Sequence, residues 1–286
     1  ALPKQDVGVY LQENQAWEMA FIHAWRAAGH GKLIGAPHSS VRYWDLRYFH
    51  DEREYARSGE CCLPLPDLVA VNGPAAMRVL VGGRWPRERL VGVEALRYLY
   101  LLDLSAAATS PAIGAAPVPL RVLVLTDYDA RHTRKQLDLL AKALDCLHGD
   151  VRMTFKAHPA LPLSFADLPG PRATLADRPL PELLAMSDVA YASSVTSAAV
   201  DAHCAGLPVV AVFDPGSLNM SPLRGLDTVE FVHSPQQLAH ALTRAPQQGD
   251  RRTCAENFFT LDKMLPCWSR LLAPAGKSSA VADAGN

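Results

Sequence analysis

Three short clusters in this chain of 286 residues hold side chains that bind anions or move protons. The densest is Ser193-Ser194-Val195-Thr196-Ser197, in which four of five residues carry hydroxyls. It follows the apolar run 189–192 and opens a helical stretch that reaches residue 205. The first turn of a helix offers unpaired backbone N–H groups and the positive end of the dipole, and both attract negative charge. With four hydroxyls converging there, the cluster reads as an anion site. The plainer alternative is N-capping, a common task for serine, but capping needs one such residue rather than four. Asp201 lies on the same helix.

The second cluster, Lys156-Ala157-His158-Pro159, ends the strand-like run 151–156. Proline keeps the residue before it extended, which exposes His158 at a strand tip. An ordinary turn would look the same, but the position one α/β unit before the serine cluster favours a ligand contact. The third cluster joins Glu13, after the run 7–11, to His38, after the run 32–36. Transfer of a group to a hydroxyl needs a base, or a nucleophile for double displacement. A carboxylate on a strand tip facing a cleft suits either role, so Glu13 is the candidate, with His38 beside it. The alternative for Glu13 is an acid favoured by the dipole at a helix start. Glu18 is expected on the helix surface or paired with Arg26 or Lys32. In Asp127-Tyr128-Asp129, a helix cap by Asp129 and a loop position for Asp127 are preferred over a metal-binding pair. The aromatic and basic stretch 42–57 either offers ring faces and guanidinium groups to a bound acceptor or packs between domains, and both readings stay open.

These clusters need elements to position them. Runs 7–11, 32–36, 67–71 and 90–93 read as strands, the first of them buried. Residues 14–28 read as a helix with Trp17, Phe21, Ala24, Trp25 and Ala28 on its inner face. Helices are also expected from Pro74 and over 94–104. Residues 105–119, rich in Ala, Ser, Thr, Gly and Pro, read as a linker. Beyond it, strands at 121–125, 151–156, 189–192 and 209–213 alternate with helices at 129–147, 180–186 and 193–205. Such alternation implies α/β architecture with mostly parallel, doubly wound sheets and ligands at the strand C-termini. The expected division is 1–112, 113–273 and a disordered tail, 274–286. The chain does not begin with Met and enters a strand almost at once, so the first domain is expected to be incomplete.

Composition sets the outer bounds. Half the residues are apolar (49%) and the net charge is −1, so no overall field draws the chain to nucleic acid. The six cysteines have no metal-site spacing and are expected to be reduced, as in the cytoplasm. No apolar run approaches the ~20 residues that span a bilayer.

The serine cluster followed by Asp201, Ala205-Gly206-Leu207-Pro208 and a β-branched strand resembles the donor-site segment of GT-B glycosyltransferases over most of residues 119–260. The resemblance implies two Rossmann-like domains, a nucleotide-sugar donor, no metal and no further cofactor, and an acidic residue at 201 on the nucleotide ribose. Lys156-Ala157-His158-Pro159 resembles the His-Pro motif of bacterial capsule transferases that use CMP-activated Kdo or sialic-acid-like sugars. This implies that His158 contacts the nucleotide phosphate, while Ser193, Ser194, Thr196 and Ser197 bind the phosphate or the sugar carboxylate. Glu13-Asn14-Gln15-Ala16-Trp17-Glu18 with Gly35-Ala36-Pro37-His38-Ser39 resembles segments of surface-carbohydrate biosynthesis proteins. The implied acceptor is a glycan or lipid-linked glycan, reached in the cytoplasm or at the inner-membrane surface. The alternatives are a UDP- or GDP-sugar transferase, an epimerase of the same fold, and a non-catalytic glycan-assembly subunit.

Overall fold

The computed structural model describes residues 2–55, 62–107, 119–170, 172–248 and 254–273. The first half contains β1 (Val7–Leu11), α1 (Ala16–Ala27), β2 (Lys32–Ala36), β3 (Leu68–Val71), α2 (Pro74–Gly82), β4 (Leu90–Gly92) and α3 (Leu101–Ala107). Its four strands pair in parallel in chain order, β1-β2-β3-β4. Every crossover steps the same way, so right-handed connections bring α1 and α2 to one face. There Ile22 and Trp25 meet Tyr10 and Leu33, while Ala76 and Leu80 meet Val69 and Val71.

Two expectations change here. β1 is an edge strand in which Val7, Val9 and Leu11 remain exposed and only Tyr10 is buried. α1 turns Glu18, Ile22 and Trp25 inward, leaving Trp17 60% exposed. The rotation has a local cause. The Glu18 carboxylate accepts hydrogen bonds from the N–H groups of Glu13, Asn14 and Gln15 at 2.9–3.1 Å. Glu18 is therefore a buried cap and not a surface residue, and it draws its side of the helix into the core.

The second half contains β5 (Leu120–Leu125), α4 (Ala130–Leu144), β6 (Val151–Lys156), β7 (Ala173–Leu175), α5 (Leu180–Ala185), β8 (Val189–Ser193), α6 (Ser197–Cys204), β9 (Val209–Val212), β10 (Val229–Val232) and α7 (Pro235–Gln248). The parallel order is β10-β9-β8-β5-β6-β7. The chain starts at the centre, winds out through β6 and β7, and returns beside β5 to wind out the other way. The reversal point lies between β5 and β8, where doubly wound sheets open a ligand crevice. One face packs on α4 and α7 through Leu140, Leu238 and Leu242. The other packs on α6 through Ala199, Val200 and Ala202. With both faces covered, the strands read as continuous apolar runs.

The halves exchange segments. Tyr98 and Leu101, at the start of α3 and just before it, belong to the second core. From there the chain later returns through α8 (Ala255–Phe258) and α9 (Pro266–Leu272). Phe259 stacks on Tyr98 at 3.8 Å, Ala95 N–H donates to Thr260 O, and Thr260 N–H donates to Asn72 O. The return passes so close to Gly73 that a β-carbon there would lie 2.3 Å from Phe258 O. α9 then covers Ile34, Ala36, Ala70 and Val93 on the open face of the first sheet. The stretch 266–272, grouped above with the second domain, thus packs on the first. Of the expected linker 105–119, residues 105–107 close α3, and 108–118 lie outside the described residues, as do the tail 274–286 and Cys61.

Candidate donor and catalytic site

β8 delivers the serine cluster to the reversal point. Ser193 and Thr196 are buried, and Ser194 and Ser197 are half-buried. The Ser193 hydroxyl donates at 2.6 Å to Asp127, which is fully buried at the end of β5. Asp127 is thus no exposed loop residue. It accepts from Ser193 Oγ and Asp129 N–H, and it ties the tips of β5 and β8 together. Asp129 caps α4 as expected, accepting from the N–H groups of Arg131 and His132. Ser194, Thr196 and Ser197 make no side-chain hydrogen bond among the described residues, and Thr196 is the N-cap of α6 without a capping bond. Three hydroxyls are thereby left for a ligand at the start of α6, where the Ala199 N–H already donates to Thr196 O.

His158 stands past the tip of β6, half-exposed, with its ring edge-on to Tyr128 at 5.9 Å. Its Nδ1 accepts from Ala160 N–H at 3.2 Å. That bond assigns the proton to Nε2 and leaves Nε2–H as an outward donor. Pro159 is exposed beside it. Lys156 points away, donating to Arg178 O at 2.8 Å, and does not join the cluster.

Asp201 is also turned from the cleft. It is buried in α6 and accepts a short hydrogen bond from Tyr100 Oη of the crossing segment. Burial raises its carboxyl to about 6, against the lowering effects of Tyr100 and Arg97.

The loops past the C-terminal edges of the two sheets face each other. Tyr43 N–H donates to Met220 O, Arg42 Nη1 donates to Tyr128 Oη at 3.4 Å, and the Arg224 guanidinium lies 3.6 Å from the centre of the Tyr43 ring. Between the halves lies a cavity of about 140 Å³, lined by Ser40, Tyr43, Asn72, Ser221, Arg224 and Phe258. The stretch 42–55 is therefore mostly packed structure, with Tyr48, Tyr55 and Asp45 buried and Asp45 clamped by Arg42 and Arg47. Trp44 alone among its aromatic rings is more than half exposed.

Glu13 and His38 follow paired strand ends, since Leu11 and Ala36 are in register. Both are half-buried. His38 Nδ1 is shielded from solvent and has no hydrogen-bond partner. Among the described residues no group of three or more His, Cys, Asp or Glu side chains is arranged to hold a metal ion, and no helix is long and apolar enough to cross a membrane.

Two parallel α/β sheets, facing across a cleft at their C-terminal edges and joined by a returning C-terminal helix, define the GT-B fold. No family model and no curated protein matches the sequence, but solved structures match the fold. CalG4, the calicheamicin glycosyltransferase, aligns with a TM-score of 0.51 at 14% identity over 88% of this chain and 68% of that one. MnaA of S. aureus in complex with UDP gives 0.52 at 11% identity over 88% and 71%. The glycosyltransferase of kitacinnamycin gives 0.50 at 12% identity over 85% and 68%.

Proposed function

We propose that the chain is a glycosyltransferase that takes its sugar from a nucleotide-activated donor. The observation that carries this reading is the set of unengaged donors at the reversal point: the hydroxyls of Ser194, Thr196 and Ser197 at the start of α6, and Nε2–H of His158 on the strand tip two places across the sheet. A donor phosphate seated there would gain charge-assisted hydrogen bonds as it becomes the leaving group. From its motifs the donor is a CMP-linked nonulosonic acid, Kdo or sialic-acid-like, and the acceptor is a bacterial surface glycan. Glu13 is the base, or the nucleophile, for the acceptor step, with His38 alongside. The second reading is a UDP-sugar donor, favoured by the fold shared with a UDP-bound protein.

Calorimetry with CMP, UDP and GDP tests the reading. His158→Ala should weaken CMP binding by about 1.5–3 kcal/mol, the loss of one hydrogen bond to a charged group. Tighter binding of UDP than CMP moves the assignment to the second reading. No response to any nucleotide sinks both.

A further inference from the structure

Asp127 is fully buried, yet its known donors are neutral: Ser193 Oγ and Asp129 N–H. A buried carboxylate with only neutral partners is costly and favours a nearby cation. A protonated imidazole beside it would answer that need. His132, on the first turn of α4, places Nδ1 3.6 Å from Asp127 Oδ2, the same oxygen that receives the Ser193 hydroxyl. The other ionisable neighbours are Asp129, 3.9 Å from the same nitrogen, Arg131 beside it on α4, and the Lys135–Asp214 pair one turn on. The His132 side chain is 52% exposed while Asp127 is fully buried, and Asp127 follows β5 at the edge where the sheet reverses toward β8.

We propose that His132 is a second anion contact of this crevice, with Asp127 as the positioning residue behind it. The ligand is the phosphate of the donor nucleotide, so the inference rests on the donor-site reading above. With phosphate at Nε2 and Asp127 at Nδ1, the imidazolium lies between two anions. Binding then draws a proton from solvent onto any ring that was neutral beforehand. His158 differs, because its Nδ1 is occupied as an acceptor and its neutral form already donates.

The experiment is calorimetry with CMP, UDP and inorganic pyrophosphate, each in buffers of different ionisation enthalpy. Wild type should take up protons on binding. His132→Gln should bind about tenfold more weakly or worse, without proton uptake. Asp127→Asn keeps an acceptor for Ser193, and in it the imidazole ¹⁵N resonances of His132 should move toward the neutral ring. A purely structural Asp127 leaves those resonances in place. Unchanged affinity for every probe in His132→Gln, or an unchanged His132 spectrum in Asp127→Asn, overturns the proposal. Pyrophosphate binding that needs His132, with no response to CMP or UDP, upholds it and sinks the donor reading. Nucleotide binding indifferent to His132 does the reverse. Wild type that binds no probe overturns both.

Discussion

Burial raises the Asp201 carboxyl to about 6, and the hydrogen bond from Tyr100 opposes that shift. In the unfolded chain the group titrates near 3.8, so between about pH 4 and pH 6 the folded state holds the extra proton. The contribution of Asp201 to stability then falls as pH rises through that window and levels off above it. At about 1.4 kcal/mol per unit the full effect is on the order of 3 kcal/mol. Asp201→Asn keeps an acceptor for Tyr100 and has no charge to bury. Denaturant titrations at pH 4, 5 and 7 should show the variant gaining on wild type across the window, and a constant difference would mean that the carboxylate is not buried as charge. Glu13 is the other test at this scale. Glu13→Gln is nearly isosteric and should preserve folding and donor affinity while turnover falls at least ~10²-fold, the loss expected for a general base. Near-normal turnover with donor and acceptor both present would remove Glu13 from the mechanism. The candidate site was legible where its chemistry is local. Hydroxyls before a helix and a His-Pro pair after a strand announce themselves in one window. Asp127 and Tyr100 do not, because their partners lie on other elements: Ser193 is 66 positions from Asp127, and Asp201 is 101 from Tyr100.

At the scale of elements, α9 depends on a single buried acid. Glu94 accepts from the N–H groups of Cys267 and Trp268 at 2.8 and 3.0 Å, and its backbone oxygen accepts from the Trp268 indole. Burial pushes the Glu94 carboxyl upward, but the amide hydrogen bonds outweigh it and hold the group below its usual range. Its contribution is therefore complete above the unfolded value and is lost as pH falls through the lower folded one. Glu94→Gln should weaken docking of α9 by about 1–3 kcal/mol. Hydrogen exchange at Cys267 and Trp268 should accelerate accordingly, and unaltered protection would show that apolar contacts suffice. The elements were legible where patterns are regular: β2, β3, β5, β8 and β9 as apolar runs and β6 as an alternating one all appear near their expected places. β7 has three residues and β10 only four, at a sheet edge, while α7 carries Pro246 inside it, so their local signals are weak. α1 lies where its pattern predicts and packs Trp25 and Phe21 inward as expected, but Glu18 and Ile22 take the inner place expected of Trp17. Pattern counting treats glutamate as polar and therefore outward, whereas the three amide groups of residues 13–15 draw Glu18 in.

At the scale of the molecule, the two halves are joined twice, through α3 going out and through the segment 258–272 coming back. Limited proteolysis is expected to cut first within 108–118, on its Gly, Ala, Ser and Pro composition, or after residue 273. Because the return carries the Tyr98–Phe259 stack and the Ala95–Thr260 and Thr260–Asn72 hydrogen bonds, a chain cut within 108–118 should stay whole under native conditions. Native mass spectrometry of the nicked protein reads this directly. Fragments that separate would show that covalent continuity through the linker holds the halves together. The returning helix also imposes a schedule on synthesis. The first sheet is translated before α9, so the apolar residues of its open face, Ile34, Ala36, Ala70 and Val93, wait for that helix. At about 5–20 residues per second the wait is on the order of ten seconds or more. During that interval the nascent chain displays a greasy surface that is a natural target for a ribosome-associated chaperone. A chain stopped after Phe258 should never lose that surface, and should bind a hydrophobic dye that the intact protein ignores.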